Sequence, residues 1–270
     1  MSKFLTLYVV LFGWSCSLFA QDSILDSADL VVKFRYTYAD NLLNLDNRKE
    51  AFMSLQIGKT HTLFYNFHNE YVLNWLKDNE SSIYVGTDAM GRKTYMSNPD
   101  KPRTKGATEY IFMDKNAALC TYVTRIVFYG WYSYQEAYVR PIWSLYQEQM
   151  QILDYSCQKA VTQFKGREWT VWYTPEIPID AGPWKLSGLP GLILYATDSE
   201  GQFLFEASSI EKPETPVPIM HQNPARETAT TKAKIDRILK KLYEERDVSG
   251  MSLSFDTSSR PEMKINFIER

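Results

Sequence analysis

The stretch Gly182-Pro183-Trp184-Lys185-Leu186-Ser187-Gly188-Leu189-Pro190-Gly191-Leu192-Ile193-Leu194-Tyr195-Ala196-Thr197 organises the reading of this chain. Within it, Leu189-Pro190-Gly191-Leu192 carries a type II turn signal. Proline presets φ at the second turn position, and glycine takes a positive φ at the third without steric cost. The turn, marked by Gly188, Pro190 and Gly191, aims the apolar run 192–197 as a short buried strand. Trp172, Tyr173, Glu176, Trp184 and Lys185 bracket it and are the candidate ligand-binding residues. Two readings stay open for them: they face a concave cavity or a closed core.

Outward from this point, residues 152–159, 160–164, 168–174, 192–197 and 202–210 are short β-like runs with short connections, a pattern that favours antiparallel pairing. Residues 212–224, with prolines at 213, 216, 218 and 224, read as an extended connector, because each proline removes a backbone donor. Residues 227–246 predict a helix, capped by Thr228 or Thr230, with Ile235, Ile238, Leu239 and Leu242 as its apolar stripe. The last twenty residues are polar and read as a partly disordered tail.

In the first half, residues 30–39 alternate cleanly as a half-buried strand. A second alternation runs through Ala51, Met53, Leu55 and Ile57 and a third through His61, Leu63, Tyr65 and Phe67, with Gly58-Lys59 as the hairpin turn between them. Tyr71, Val72, Trp75 and Leu76 predict a short helix over 68–78. Weak strands are expected at 82–85 and 93–96, and firmer ones at 110–113 and 120–128; the aromatic run 128–134 continues or turns out of the last. The class is mainly β, with one short helix and a C-terminal helix.

Residues 1–20 have the form of a cleaved signal peptide, with Lys3, the apolar run 4–12 and a small residue, Ala20, before Gln21. The apolar run is too short for a spanning helix, which needs about twenty residues, so no transmembrane span is expected. Periplasmic or outer-membrane-associated localisation follows, with lipidation of Cys16 as the lesser alternative. Export leaves Cys120 and Cys157 in an oxidising compartment, and an even count allows one disulfide. Two separate buried thiols are the other reading. The formal net charge of −2 excludes a basic nucleic-acid footprint. The division expected is a signal peptide (1–20), a β domain (21–211), a proline-rich connector (212–226) and a helix with polar tail (227–270).

Several motifs together carry a family resemblance: Asp154-Tyr155-Ser156-Cys157-Gln158-Lys159-Ala160, Phe164-Lys165-Gly166-Arg167, Trp172-Tyr173-Thr174-Pro175-Glu176-Ile177-Pro178, Gly182-Pro183-Trp184-Lys185 and the hexapeptide 188–193. In this order and spacing, over 143–210, the chain resembles the GLPGLI family of exported Bacteroidota proteins, which has no settled biochemical function. It is also similar, more weakly, to the bowl-like N-terminal domain of certain bacterial peptide N-glycanases. That likeness implies an open, curved antiparallel sheet, a bowl or half-barrel, without catalytic residues of its own.

Candidate chemistry is sparse. His61 and His68 with Asp78 or Glu80 are the imidazole and carboxylate groups that a metal would need, but no ligand-spacing motif supports them, and neither metal nor cofactor is expected. Glu176 and Asp180 beside Trp172, Tyr173 and Trp184 outline a glycan- or peptide-acting enzyme. A non-enzymatic protein fits better: its aromatic face would bind a small apolar or peptide-like ligand, or it would dock on an outer-membrane protein. A purely structural interaction partner is the third reading.

Overall fold

The computed structural model describes residues 22–79, 82–87, 90–91, 93–126, 129–222, 224–245 and 262–270. The signal segment with Cys16, and Glu80, lie outside them. In chain order the strands are β1 (Ser23–Ala39), β2 (Arg48–Gly58), β3 (His61–Asn66), β4 (Ser82–Thr87), β5 (Lys93–Ser97), β6 (Tyr110–Asp114), β7 (Leu119–Ile126) and β8 (Gly130–Ala137). There follow β9 (Ser144–Ile152), β10 (Tyr155–Phe164), β11 (Arg167–Thr174), β12 (Leu192–Asp198), β13 (Phe203–Glu211), β14 (Val217–His221) and β15 (Glu227–Ala229). Helix α1 (Phe67–Asp78) follows β3, and α2 (Lys232–Tyr243) follows β15.

Twelve strands run in the order β15-β8-β7-β6-β3-β2-β1-β13-β12-β11-β10-β9, with β14 added to β1 and β4–β5 forming a separate pair. Pairing is antiparallel except between β15 and β8. The two end strands, β15 and β9, do not pair, so the sheet is open. It is also strongly curved. Nine steps separate β8 from β10, about 43 Å in a flat sheet at about 4.8 Å per strand. Yet Glu136 of β8 and Lys165, in the turn between β10 and β11, meet at 2.6 Å. The mainly β, open and curved class expected from the sequence is the class observed.

The sequence explains the joints. Asp26 of β1 accepts the backbone N–H groups of Thr60 (2.7 Å) and His61 (3.0 Å) and so fastens the β2–β3 hairpin. A side chain at Gly58 would collide with that carboxylate. Asn66 caps α1 by accepting from the N–H groups of His68 and Asn69.

The concave face is filled. Val32, Phe34, Tyr36, Met53 and Leu55 pack there against Trp169, Val171 and Phe205 in one core. Into the same core the β11–β12 connection inserts Ala181, Trp184, Leu186 and Leu189. Over the region of β7 and β8, α2 lays Ile235 and Leu242 on Ile126 and Tyr134. A smaller core on the convex face joins Ala28, Val31, Leu63, Tyr65, Phe112 and Val123 to Ile219 of β14.

Several expectations need correction. Cys120 and Cys157 form no disulfide: both thiols are free and buried, 1% and 0% exposed, and both belong to the concave core as small apolar groups. Burial raises their pKa values to about 12 and about 11. Gly191 does not have a positive φ; that conformation falls to Gly188 (φ 90) and to Trp184 (φ 56). Glycine is required at 191 because a Cβ there would lie 2.2 Å from the Thr174 carbonyl oxygen.

The boundaries also move. Residues 144–164 form a two-stranded hairpin, β9 and β10, rather than two runs meeting at 159–160. Within the proline-rich connector, 217–221 pairs with the N-terminal half of β1, where Pro218 sits on an edge that tolerates a missing donor. Residues 227–229 are strand, and α2 begins only after its cap, Thr231. Within the polar tail, 262–270 is packed: Asn266 and Glu269 are 6% and 8% exposed.

Candidate functional site

The five bracketing residues do not converge on an opening. Trp184 is buried, 5.4 Å from Trp169 between ring centroids and edge-on to Phe164. Tyr173 is buried and donates to Gln158 Oε1 at 2.9 Å. Trp172 is half-buried at the margin of the core. Exposed Glu176 accepts the Ser156 N–H at 2.8 Å. Asp180 accepts the Gly188 N–H and pairs with Arg140 at 3.3 Å. Both carboxylates of the expected enzyme site thus hold loops in place.

Lys185 is the most unusual of the five. Only 2% of its side chain is exposed, yet it donates to Glu136 (2.6 Å), to the Tyr134 hydroxyl (3.0 Å) and to Glu269. Burial opposes its charge, but Glu269 and Glu136 outweigh burial and hold the ammonium above its ordinary pKa. Likewise Glu136, despite partial burial, is held below the usual carboxylate range by Lys165 and Lys185. This cluster ties together the β11–β12 connection, β8 and the C-terminal segment. It is a structural lock, with each charge paired.

The histidines stay apart. His61 shares a hydrogen bond with Thr60 and lies 3.5 Å from Asp114, whereas His68, beyond the far end of β3, meets the Arg103 carbonyl. Among the described residues no group of three or more histidine, cysteine or acidic side chains could hold a metal.

The opening lies instead on the convex face. Alternation on β6 sends Ile111 and Met113 to the concave core and Tyr110 and Phe112 outward. With Val123 of β7 and Trp131 of β8 they floor a cleft of about 230 Å³. Leu73 and Leu76 of α1 form one wall, and His221, Gln222, Arg226 and Glu227 the other. Tyr110 stacks on Tyr65 (5.8 Å) and lies 6.0 Å from Trp131, while His221 stacks on Phe112 at 4.7 Å. His221 Nε2 is 2.6 Å from Glu227 Oε1, and Gln222 donates to Glu70 at 3.2 Å. The Tyr110 hydroxyl is buried with no hydrogen-bond partner among the described residues. Burial, with Glu70 adding to it, pushes its pKa well up, so it remains a neutral donor.

Sequence reasoning missed this cleft. Its signal was present in the alternating aromatics of 110–113 and the apolar stripe of α1, but nothing local shows that β8, α1 and the 221–227 segment meet.

A family model described as "N-glycanase peptide, N-terminal domain" matches residues 77–237, more than half of the chain. No curated protein matches. Among solved structures, PNGF-II in space group P21 aligns at 15% identity and TM-score 0.49, covering 80% of this chain and 34% of that one. PNGF-II in space group C2 aligns at 15% identity and TM-score 0.48, covering 79% and 33%. The chain therefore spans about a third of the length of these solved relatives. On the match over residues 77–237, the chain belongs to the N-glycanase peptide, N-terminal domain family.

Proposed function

We propose that this is a non-enzymatic binding protein that takes a small apolar or peptide-like ligand in the cleft floored by Tyr110, Phe112 and Trp131. The observation that carries this reading is the contrast between the two faces of the sheet. The concave face is closed by the β11–β12 connection, whereas the convex face keeps an open aromatic cleft with an unpartnered hydroxyl. Convergent aromatics with a few polar groups are the usual form of a ligand site. The carboxylates that would serve an enzyme, Glu176 and Asp180, are held by loop contacts. The family's place as an N-terminal domain of N-glycanases supports a role beside chemistry rather than in it.

Export belongs to the same proposal: residues 1–20 form a signal peptide, the motifs of 143–210 resemble those of the exported GLPGLI proteins, and the chain works in the periplasm or at the outer membrane. Among the described residues no helix is long and apolar enough to cross a membrane.

Native purification with mass spectrometry of co-purifying small molecules tests both parts. A bound ligand released by Trp131→Ala supports the cleft. The same ligand retained by that variant but lost on repacking around Trp172 contradicts it. Intact mass showing a chain that begins at Gln21 supports export, and retained residues 1–20 contradict cleavage.

A second reading, docking on an outer-membrane protein, has its own observation. Strand β9 pairs on one side alone, and Ile142, Leu145 and Tyr146 beside or on it are exposed. Leu145→Lys would abolish retention on outer-membrane vesicles if that edge docks, and would leave it unchanged if not.

A further inference from the structure

Beside the aromatic cleft, across Leu76 of α1, lies a second and larger depression of about 550 Å³. The two share Leu76 as a common wall. Their chemistry differs. The second is lined by Lys101, Arg103 and Arg125 with Asn98, Thr104, Val72 and prolines, and among the described residues no acidic side chain lines it. None of its three cations forms an ion pair with a described residue. At the aromatic cleft, Glu227 meets His221 at 2.6 Å and Glu70 accepts from Gln222 at 3.2 Å, whereas Arg226 at the edge forms no ion pair among the described residues. Among the described residues, both depressions therefore offer positive charge outside any ion pair, on a chain whose formal net charge is −2.

Size limits the occupant. Clefts that enclose a drug-sized ligand run from about 300 to 1,000 Å³, so a 230 Å³ cleft takes one ring or one large side chain. The polar depression begins on the other side of Leu76. An occupant that uses both has an apolar ring-sized group at one end and carboxylates spaced along a flexible chain beyond it.

We propose that the ligand is an acidic peptide, with one aromatic side chain seated on Tyr110, Phe112 and Trp131 and its neighbouring carboxylates over Arg226 and over Lys101, Arg103 and Arg125. This rests on the cleft reading given above and adds the ligand's charge. Arginine is suited to the carboxylates because its planar fork matches their geometry with paired hydrogen bonds.

The test compares acetyl-Phe-Asp-Glu-Asp-amide with its isostere acetyl-Phe-Asn-Gln-Asn-amide by calorimetric titration of the full chain. At about 50 mM salt, where charges act over more than 10 Å, the acidic peptide should bind about tenfold tighter, and the advantage should shrink at about 500 mM. The combined variant Lys101→Gln, Arg103→Gln, Arg125→Gln should lose that preference while its circular dichroism stays native. Equal binding of the two peptides, or a preference unaffected by the variant, overturns the acidic-peptide inference and leaves the cleft reading standing. If neither peptide binds, and an excess of acetyl-Phe-amide leaves Trp131 unperturbed, the cleft reading itself falls.

Discussion

Lys185 Nζ lies 2.6 Å from Glu136 Oε1, pairing a cation of the β11–β12 connection with a carboxylate of β8, near the opposite end of the sheet order. Glu269 from the C-terminal segment completes the cluster. Removing one member of a buried ionic group strands the others, which typically costs about 3–5 kcal/mol. Lys185→Met is therefore expected to lower unfolding free energy by about that amount in urea, and adding Glu269→Gln should restore part of it.

The same cluster sets a pH window. Glu136 is held below its ordinary pKa of 4.5, so its contribution is complete above that value and is lost as pH falls through the lower folded-state pKa. Lys185 is held above 10.5, so its contribution is complete below that value and is lost as pH rises through the folded-state pKa. Thermal midpoints should stay level on this account between those limits and fall outside them. In the Lys185→Met, Glu269→Gln variant the alkaline fall should be smaller.

Gly191 and Gly201 make a paired test of two reasons for glycine. At 191 φ is ordinary but a Cβ would meet the Thr174 carbonyl oxygen at 2.2 Å. At 201 φ is +61 and nothing lies within 4 Å. Gly201→Ala should cost about 1–2 kcal/mol, the strain of one left-handed residue. Gly191→Ala must displace backbone and should cost more, about 3 kcal/mol or above, the upper end of overpacking penalties. Equilibrium denaturation of the two variants checks the order.

Cys120 and Cys157 should resist maleimide labelling in the native protein, since burial raises both thiols far above neutral pH and denies the reagent access. Both should label fully in denaturant without prior reduction. A disulfide-linked peptide recovered by non-reducing mapping would contradict the free-thiol structure.

Strands whose own side chains alternate, such as β1, β2 and β3, were legible in the sequence, as were the turn at Gly58 and the stripe of α2. The curvature was legible through the family resemblance alone and not from the strand patterns, because it depends on contacts such as Glu136 with Lys165 that join residues far apart in both sequence and sheet order. Trp184 and Lys185 show why burial of the bracketing residues was not legible. An aromatic and a cation in a glycine-rich loop read equally well as a rim or as a plug, and the difference lies in Glu269 and Tyr134, which approach them from elsewhere in the chain. Pro218 shows the converse, a residue that argues against a strand and yet occupies one, because β14 lies against a single neighbour, β1.

On the proposed function, the concave face is core and the convex cleft holds the ligand. The tryptophan indole N–H signals, followed by nitrogen-15 NMR as acetyl-Phe-Asp-Glu-Asp-amide is added, separate the two faces. Trp131 should shift with saturation while Trp169 and Trp184 stay fixed. Shifts at Trp184 and Trp172 with Trp131 unmoved would contradict it.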